Sequence, residues 1–174
     1  MKRLLLLRHG KSSWDDEGLD DHDRPLIERG EQAARRVGHH LVERGITLDV
    51  MVTSTAKRAA DTACLLRGVL PLPPDIQQDP GLYMCGTTAM LARIRCLSDD
   101  AGTAMIIAHN PDLQSLARQL LRSGDPDRLW KIAEKFPTCA CAVITFQIES
   151  WTDVGPRGGH LEELILPREL SCLR

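Results

Sequence analysis

Three short segments of the chain hold residue types suited to handling a phosphoryl group. Arg8 and His9 close a run of four leucines and lead into Gly10. Arg58 ends the stretch Ser54-Thr55-Ala56-Lys57-Arg58, and His109 opens His109-Asn110-Pro111. Guanidinium groups grip phosphate oxygens in bidentate fashion, which lysine does not. A neutral imidazole is a nucleophile that works near neutral pH. Two arginines and two histidines form a phosphate pocket if one place in the fold collects all three segments. Two of the segments also open a helix in this reading, and the free N–H groups of a helix start favour an anion.

The elements flanking these segments supply that place. Lys2 to Leu7, Asp49 to Thr53 and Thr103 to Ala108 are short, continuous apolar runs, the pattern of strands buried on both faces. Helical periodicity lies between them. Ala33, Ala34, Val37 and Leu41 line one face of a helix from about Glu28 to Arg44, which Gly45 stops. Ala59, Ala60, Ala63 and Leu66 repeat the spacing, as do Met90, Leu91, Ile94 and Leu97. Leu113, Leu116, Ala117, Leu120 and Leu121 fit it best, with Asn110 as expected N-cap and Pro111 at the first helical position. Strands alternating with helices predict an α/β domain, a mostly parallel central sheet with helices on both faces. In such sheets ligands bind at the carboxyl ends of the strands, where all three polar segments begin.

The rest of the chain completes this reading. Cys139 to Ile148 and Leu161 to Leu166 predict two strands forming a hairpin at the sheet edge. Pro71, Pro73, Pro74 and Pro80 mark a rigid surface connection rather than a domain boundary. Residues 1–174 are therefore expected to form a single domain.

Composition removes several function classes. The chain has 174 residues, and 22 Lys+Arg against 24 Asp+Glu give a formal charge of -2. That balance offers no basic footprint for nucleic acid. The leucine run is interrupted by Arg8 after four residues, too short for a signal segment or a membrane span, so a cytoplasmic protein without membrane partners is expected. The six cysteines include no C-x-x-C pair, and in that compartment they are expected to be reduced.

Taken together, Leu-Leu-Leu-Arg-His-Gly at 5–10, Asp-Arg-Pro-Leu at 23–26, Ser-Thr-Ala-Lys-Arg-Ala at 54–59 and Ala-His-Asn-Pro at 108–111 resemble the histidine phosphatase superfamily in order and spacing. The short chain and the Asp-x-Asp-Arg-Pro-Leu segment look most like its SixA-type phosphohistidine phosphatase branch. The motifs span roughly residues 2 to 122. The resemblance implies the phosphoglycerate-mutase-like fold, a three-layer α/β/α sandwich. It also implies a metal-independent phosphatase without cofactors, in which His9 is the nucleophile and forms a phosphohistidine intermediate that water hydrolyses. Arg8, Arg58 and His109 complete the catalytic set. Arg24 is carried over as a substrate-binding residue, and Asn110 is a helix cap first and a substrate contact second. On physical grounds His9 must be neutral to attack, with one ring nitrogen held by a backbone carbonyl. Neighbouring Arg8 and Arg58 would lower its pKa, and His109, if protonated, would add a donor and a charge.

One departure bears on the substrate. Mutases and many esterases of the superfamily place a glutamate general acid after the second helix, yet Pro80 to Ser98 holds no carboxylate. A phosphoramidate eases that need, because a departing imidazole carries its own proton on the second nitrogen. Asp21, Asp23 and Tyr83 are the weaker alternative acids. The partner implied is a protein phosphohistidine or a small phosphorylated substrate. The competing readings are a phosphoglycerate-mutase-type phosphoryl transferase and a phosphate-binding module without turnover. The acidic run Asp15 to Asp23 reads as solvated loop, His22, His39 and His40 as structural, and Ser12, Ser13 and Trp14 as pocket wall or packing.

Overall fold

In a computed structural model describing residues 1–170, the apolar runs become the strands of one sheet. The elements are β1 (Lys2–Arg8), α1 (Glu28–Glu43), β2 (Val50–Ser54), α2 (Lys57–Arg67), β3 (Ile76–Asp79), α3 (Gly86–Arg95), β4 (Thr103–Ala108), α4 (Asp112–Leu120), β5 (Leu121–Ser123), α5 (Pro126–Glu134), β6 (Cys141–Phe146) and β7 (Gly159–Ile165). The sheet runs β3-β2-β4-β1-β6-β7-β5. Only β6 opposes its neighbours; the pairs β1–β4, β2–β4, β2–β3 and β5–β7 are parallel.

Period-two alternation explains why the central strands are apolar throughout. Leu4 and Leu6 pack with α3, α4 and α5 on one face, whereas Leu5 and Leu7 pack with α1 and α2 on the other. β4 divides in the same way, Ala104 and Ile106 to one side and Met105 and Ile107 to the other. The result is the three-layer α/β/α sandwich, with both sheet faces covered as a parallel sheet requires.

Several details depart from the sequence expectations. The β6–β7 hairpin is not at the sheet edge. β6 pairs with β1, and β5 flanks β7 on the outside. Leu121 leaves the helical series after Leu120 and is buried as the first residue of β5. The proline-marked connection contains an edge strand, β3. Helix α5 was not anticipated from periodicity, although its start is well signalled: Pro126 is at the first turn and the Asp125 side chain accepts from the Arg128 N–H at 2.9 Å. Gly45 does stop α1, in the left-handed region at φ +66°. Five of the six cysteines are unpaired, and Cys172 lies outside the described residues. No helix among the described residues is long and apolar enough to cross a membrane.

Candidate active site

The parallel pairing of β1, β4 and β2 sets all three polar segments on one rim. Arg8 lies level with Ala108, and Thr53 with Ile107, so His9, Ser54 and His109 emerge side by side. Antiparallel β6 brings its amino end to the same rim, where Cys141 faces Leu7. The segment leading into β6 ties down β1: Cys139 N–H donates to the Arg8 carbonyl at 2.9 Å, and Arg8 N–H to the Ala140 carbonyl at 3.0 Å.

Two glycines allow the loop after β1 to pass against α1. A Cβ on Gly30 would lie 2.3 Å from the Lys11 carbonyl oxygen, and one on Gly10 would lie 2.9 Å from that of Gly30. Both contacts are with backbone, which cannot swing aside. The loop is also fastened to α2, because Thr62 Oγ1 accepts from the Gly10 N–H at 3.0 Å and donates to the Arg58 carbonyl at 2.6 Å. Neither threonine bond was foreseen, although Thr62 is one helical turn after Arg58 and so shares its face.

His9 is buried, with Nδ1 2.7 Å from the Gly10 carbonyl. A carbonyl only accepts, so Nδ1 carries the proton and Nε2 is left with its lone pair. Arg58 Nε donates toward that nitrogen at 3.4 Å. Burial is the main cause that lowers the His9 pKa to about 3; the Gly10 carbonyl opposes it, while His109, Arg58 and Arg8 reinforce it. The expectation of a neutral His9 agrees with this, but desolvation leads and the two cations are secondary.

His109 stands 4.9 Å from His9, centroid to centroid. Its Nδ1 faces Arg58 Nη2 at 3.4 Å and its Nε2 the Ser54 hydroxyl at 2.9 Å. With a guanidinium donating to Nδ1, the proton belongs on Nε2 and is given to Ser54 Oγ. Burial first, then Arg58, lowers the His109 pKa to about 4. It is therefore neutral at pH 7, whereas the sequence reading gave it a charge only if protonated.

Arg58 is buried and reaches in three directions. Besides the two histidines it donates to the Asp21 main-chain carbonyl and, from Nη2, to Asp21 Oδ2 at 2.8 Å. Tyr83 donates to the same Oδ2 at 2.8 Å. Desolvation alone would raise the Asp21 pKa, but Tyr83 and Arg58 outweigh it and leave the carboxyl below its ordinary value. Asp21 is thus a poor proton donor. Asp112 is a second carboxylate on the cavity wall, where its Oδ2 accepts from the Gly86 N–H at 2.9 Å.

Arg8 Nη1 and Asn110 Nδ2 both donate to the Phe136 carbonyl, at 2.9 and 3.0 Å. Arg8 Nε and Asn110 Oδ1 are buried without a hydrogen-bond partner. Asn110 does not cap α4: the residue before that helix is Pro111, with no side-chain cap, because the Asn110 amide is drawn across to Phe136. Arg24 sits over Trp14, Cζ 3.3 Å from the ring centroid, with Nε 3.8 Å from Asp21 Oδ1. Trp14 and Asp21 line the cavity and Arg24 does not.

These groups surround a cavity of about 640 Å³ whose wall includes Arg8, His9, Arg58 and His109, with exposed Trp14 and Met84 also lining it. It offers an unprotonated nitrogen beside two guanidinium groups, a setting suited to in-line attack on phosphorus. His22 stays outside it, bonded to Thr55 Oγ1 at 3.0 Å. Among the described residues, no group of three or more His, Cys, Asp or Glu side chains is placed to hold a metal.

Known proteins resemble this chain in sequence and in fold. The model of the histidine phosphatase superfamily, branch 1, matches residues 4–83. An uncharacterised chloroplastic protein of Arabidopsis thaliana is 32% identical over 179 residues, covering 95% of this chain and 78% of that protein. A structure assigned as the phosphohistidine phosphatase SixA of Agrobacterium tumefaciens superposes with a TM-score of 0.80 at 24% identity, over 95% of this chain and 98% of the other. One assigned as SixA of Nakamurella multipartitia superposes at 0.79 with 27% identity, over 95% and 96%.

Proposed function

Because this chain belongs to the histidine phosphatase superfamily, we propose that it is a metal-independent phosphatase that works through a phosphohistidine on His9, acting on protein phosphohistidine or small phosphomonoesters. The observation that carries the reading is the His9 ring. Its Nδ1 is bonded to the Gly10 carbonyl, so Nε2 is unprotonated and directs its lone pair toward Arg58, 3.4 Å away.

In the first step Nε2 attacks phosphorus. The bond from phosphorus to the substrate's nitrogen or oxygen breaks, and its electron pair leaves with that atom. Arg8 and Arg58 hold the equatorial oxygens, and Asn110 binds at the same wall. The approach of a phosphate dianion raises the His109 pKa, so His109 gains a proton and becomes a further donor. In the second step water attacks phosphorus, the bond to Nε2 breaks, inorganic phosphate departs and neutral His9 returns. Arg24 supports Trp14 and Asp21, which line the cavity, and its Nε and Nη1 have no hydrogen-bond partner.

The leaving group favours phosphohistidine. Asp21 is held ionised, Asp112 is engaged by the Gly86 N–H and Pro80 to Ser98 holds no carboxylate, so an alkoxide would depart without an assigned acid. An imidazole leaves with a proton already on its other nitrogen. The test is to trap acid-labile radiolabel on the protein from a phosphorylated substrate and to repeat it with His9→Ala. Label lost in the variant supports the reading. Label that survives refutes the nucleophile, and an absence of label and turnover on every substrate reduces the protein to a phosphate-binding module.

A further inference from the structure

A second cavity, of about 270 Å³, adjoins the first: Lys11 and Thr138 form part of both walls. Its floor is apolar, from Ala33, Pro137 and Leu166, and its rim is cationic. Lys11 from the loop after β1, Arg29 and Arg36 from α1, Lys131 and Lys135 at the end of α5, and Arg168 beyond β7 all face it, against Glu169 alone. Glu169 is already engaged, accepting from Lys131 at 2.8 Å and also paired with Arg128.

Several cations elsewhere on the molecule are matched. Arg3 pairs with Glu162, Arg44 with Glu163, Lys57 with Asp61 and Arg93 with Asp79. At this rim Lys11, Arg29, Arg36, Lys135 and Arg168 have no such partner among the described residues, and Arg36 Nε is buried without a hydrogen bond. In a chain of net charge -2 this is a local concentration of one sign. Such a patch costs self-repulsion when empty, and it attracts an oppositely charged surface.

The arrangement also says what kind of anion fits. Lys11, Arg29, Lys135 and Arg168 are exposed, so they are mobile, hydrated charges around an apolar floor. A site for one small anion is built from buried, converging donors; an exposed cationic rim matches a run of carboxylates on another protein. Continuity with the phosphate cavity through Lys11 fixes where that run lies, immediately beside the phosphorylated residue.

We propose that this cavity docks acidic residues flanking the phosphorylated side chain of a protein substrate. This rests on the reading of the first cavity as the phosphate site, which the trapped label on His9 tests separately. The docking test is binding and does not require turnover. Two peptides carry a hydrolysis-resistant phosphonate mimic of phosphohistidine, one flanked by glutamates and one by serines, and their affinities are measured at low and high salt. The glutamate peptide binds roughly tenfold tighter at low salt, and the advantage shrinks as salt screens it. Arg29→Glu/Lys135→Glu/Arg168→Glu, which alters no residue of the phosphate cavity, removes the advantage while leaving turnover of a small phosphoramidate unchanged. Equal binding of the two peptides by the wild-type protein overturns the proposal. So does a triple variant that keeps the preference, or one that loses small-substrate turnover as well. Self-association abolished by the triple variant would assign the cavity to a second copy of the chain instead.

Discussion

Asp21 and Arg58 are joined by two hydrogen bonds, from Arg58 Nη2 to the Asp21 carboxylate at 2.8 Å and from Nη1 to its main-chain carbonyl. A carboxylate from the loop after β1 thus engages a guanidinium that the proposed mechanism assigns to phosphate. Incoming phosphate must compete with it. The Asp21 side chain is 38% exposed, so water screens the pair and its worth is about 1 kcal/mol at most. Asp21→Asn is accordingly expected to tighten inhibition by inorganic phosphate by about two- to fivefold. Weaker inhibition would show that Asp21 positions Arg58 rather than competing for it.

Removing the proposed nucleophile is expected to have a larger effect. His9→Ala is expected to lower kcat by about a thousandfold or more, since no neighbouring group offers a free nitrogen in the same place. Phosphate binding should persist through Arg8 and Arg58. The pair of readouts, steady-state turnover and phosphate affinity, separates loss of chemistry from loss of the pocket.

Thr62 links the nucleophile loop to the Arg58 helix from a fully buried position. Thr62→Val preserves shape but leaves the Gly10 N–H without its acceptor, a loss of about 1–3 kcal/mol. Denaturant unfolding measures that, and kcat on a small phosphoramidate should fall with it because His9 is the adjacent residue. A stable variant of full activity would mean that the loop is held by its other bonds alone.

At Gly30 the argument is steric. A methyl group there meets the Lys11 backbone at 2.3 Å, so Gly30→Ala forces α1 and the loop apart at a cost of about 1–3 kcal/mol. A lower unfolding midpoint together with reduced turnover is the expected result. An unchanged midpoint would contradict the tight approach.

Acid should destabilise the fold through its buried histidines. Folded His109 titrates at about 4 and His9 at about 3, against about 6.5 when unfolded. Below pH 6.5 the unfolded chain binds protons that the folded chain refuses, so stability is full above that pH. It is lost as pH falls through the window, down to the folded values. His109→Gln removes one such group, and the stability lost between pH 7.5 and pH 5 should shrink by on the order of 1–2 kcal/mol. An equal or steeper loss in the variant would show that His109 is charged in the folded protein.

Much of the fold was legible because its central strands are buried on both faces. Leu4 to Leu7 and Thr103 to Ala108 read as strands from composition alone, and helices between them required parallel pairing. The Asn110 cap and the hairpin at the edge misled, since each depended on a neighbour remote in sequence: the Phe136 carbonyl that takes the Asn110 amide, and β5 that pairs with β7. Arg8, His9, Arg58 and His109 were visible as a set through their shared place at strand ends. Ser54 and Thr62, which orient them, were hidden because a buried hydroxyl has no pattern until its partners are known.

By itself the sequence determined the α/β class and pointed to Arg8, His9, Arg58 and His109 as one group, because both follow from local periodicity and from where polar groups interrupt it. Only the tertiary structure decided the protonation of the two histidines, the hold of Asp21 on Arg58 and the cationic cavity beside the site. Each of those depends on burial or on charges brought together from distant segments, and the energy of a charge is set by what surrounds it in space.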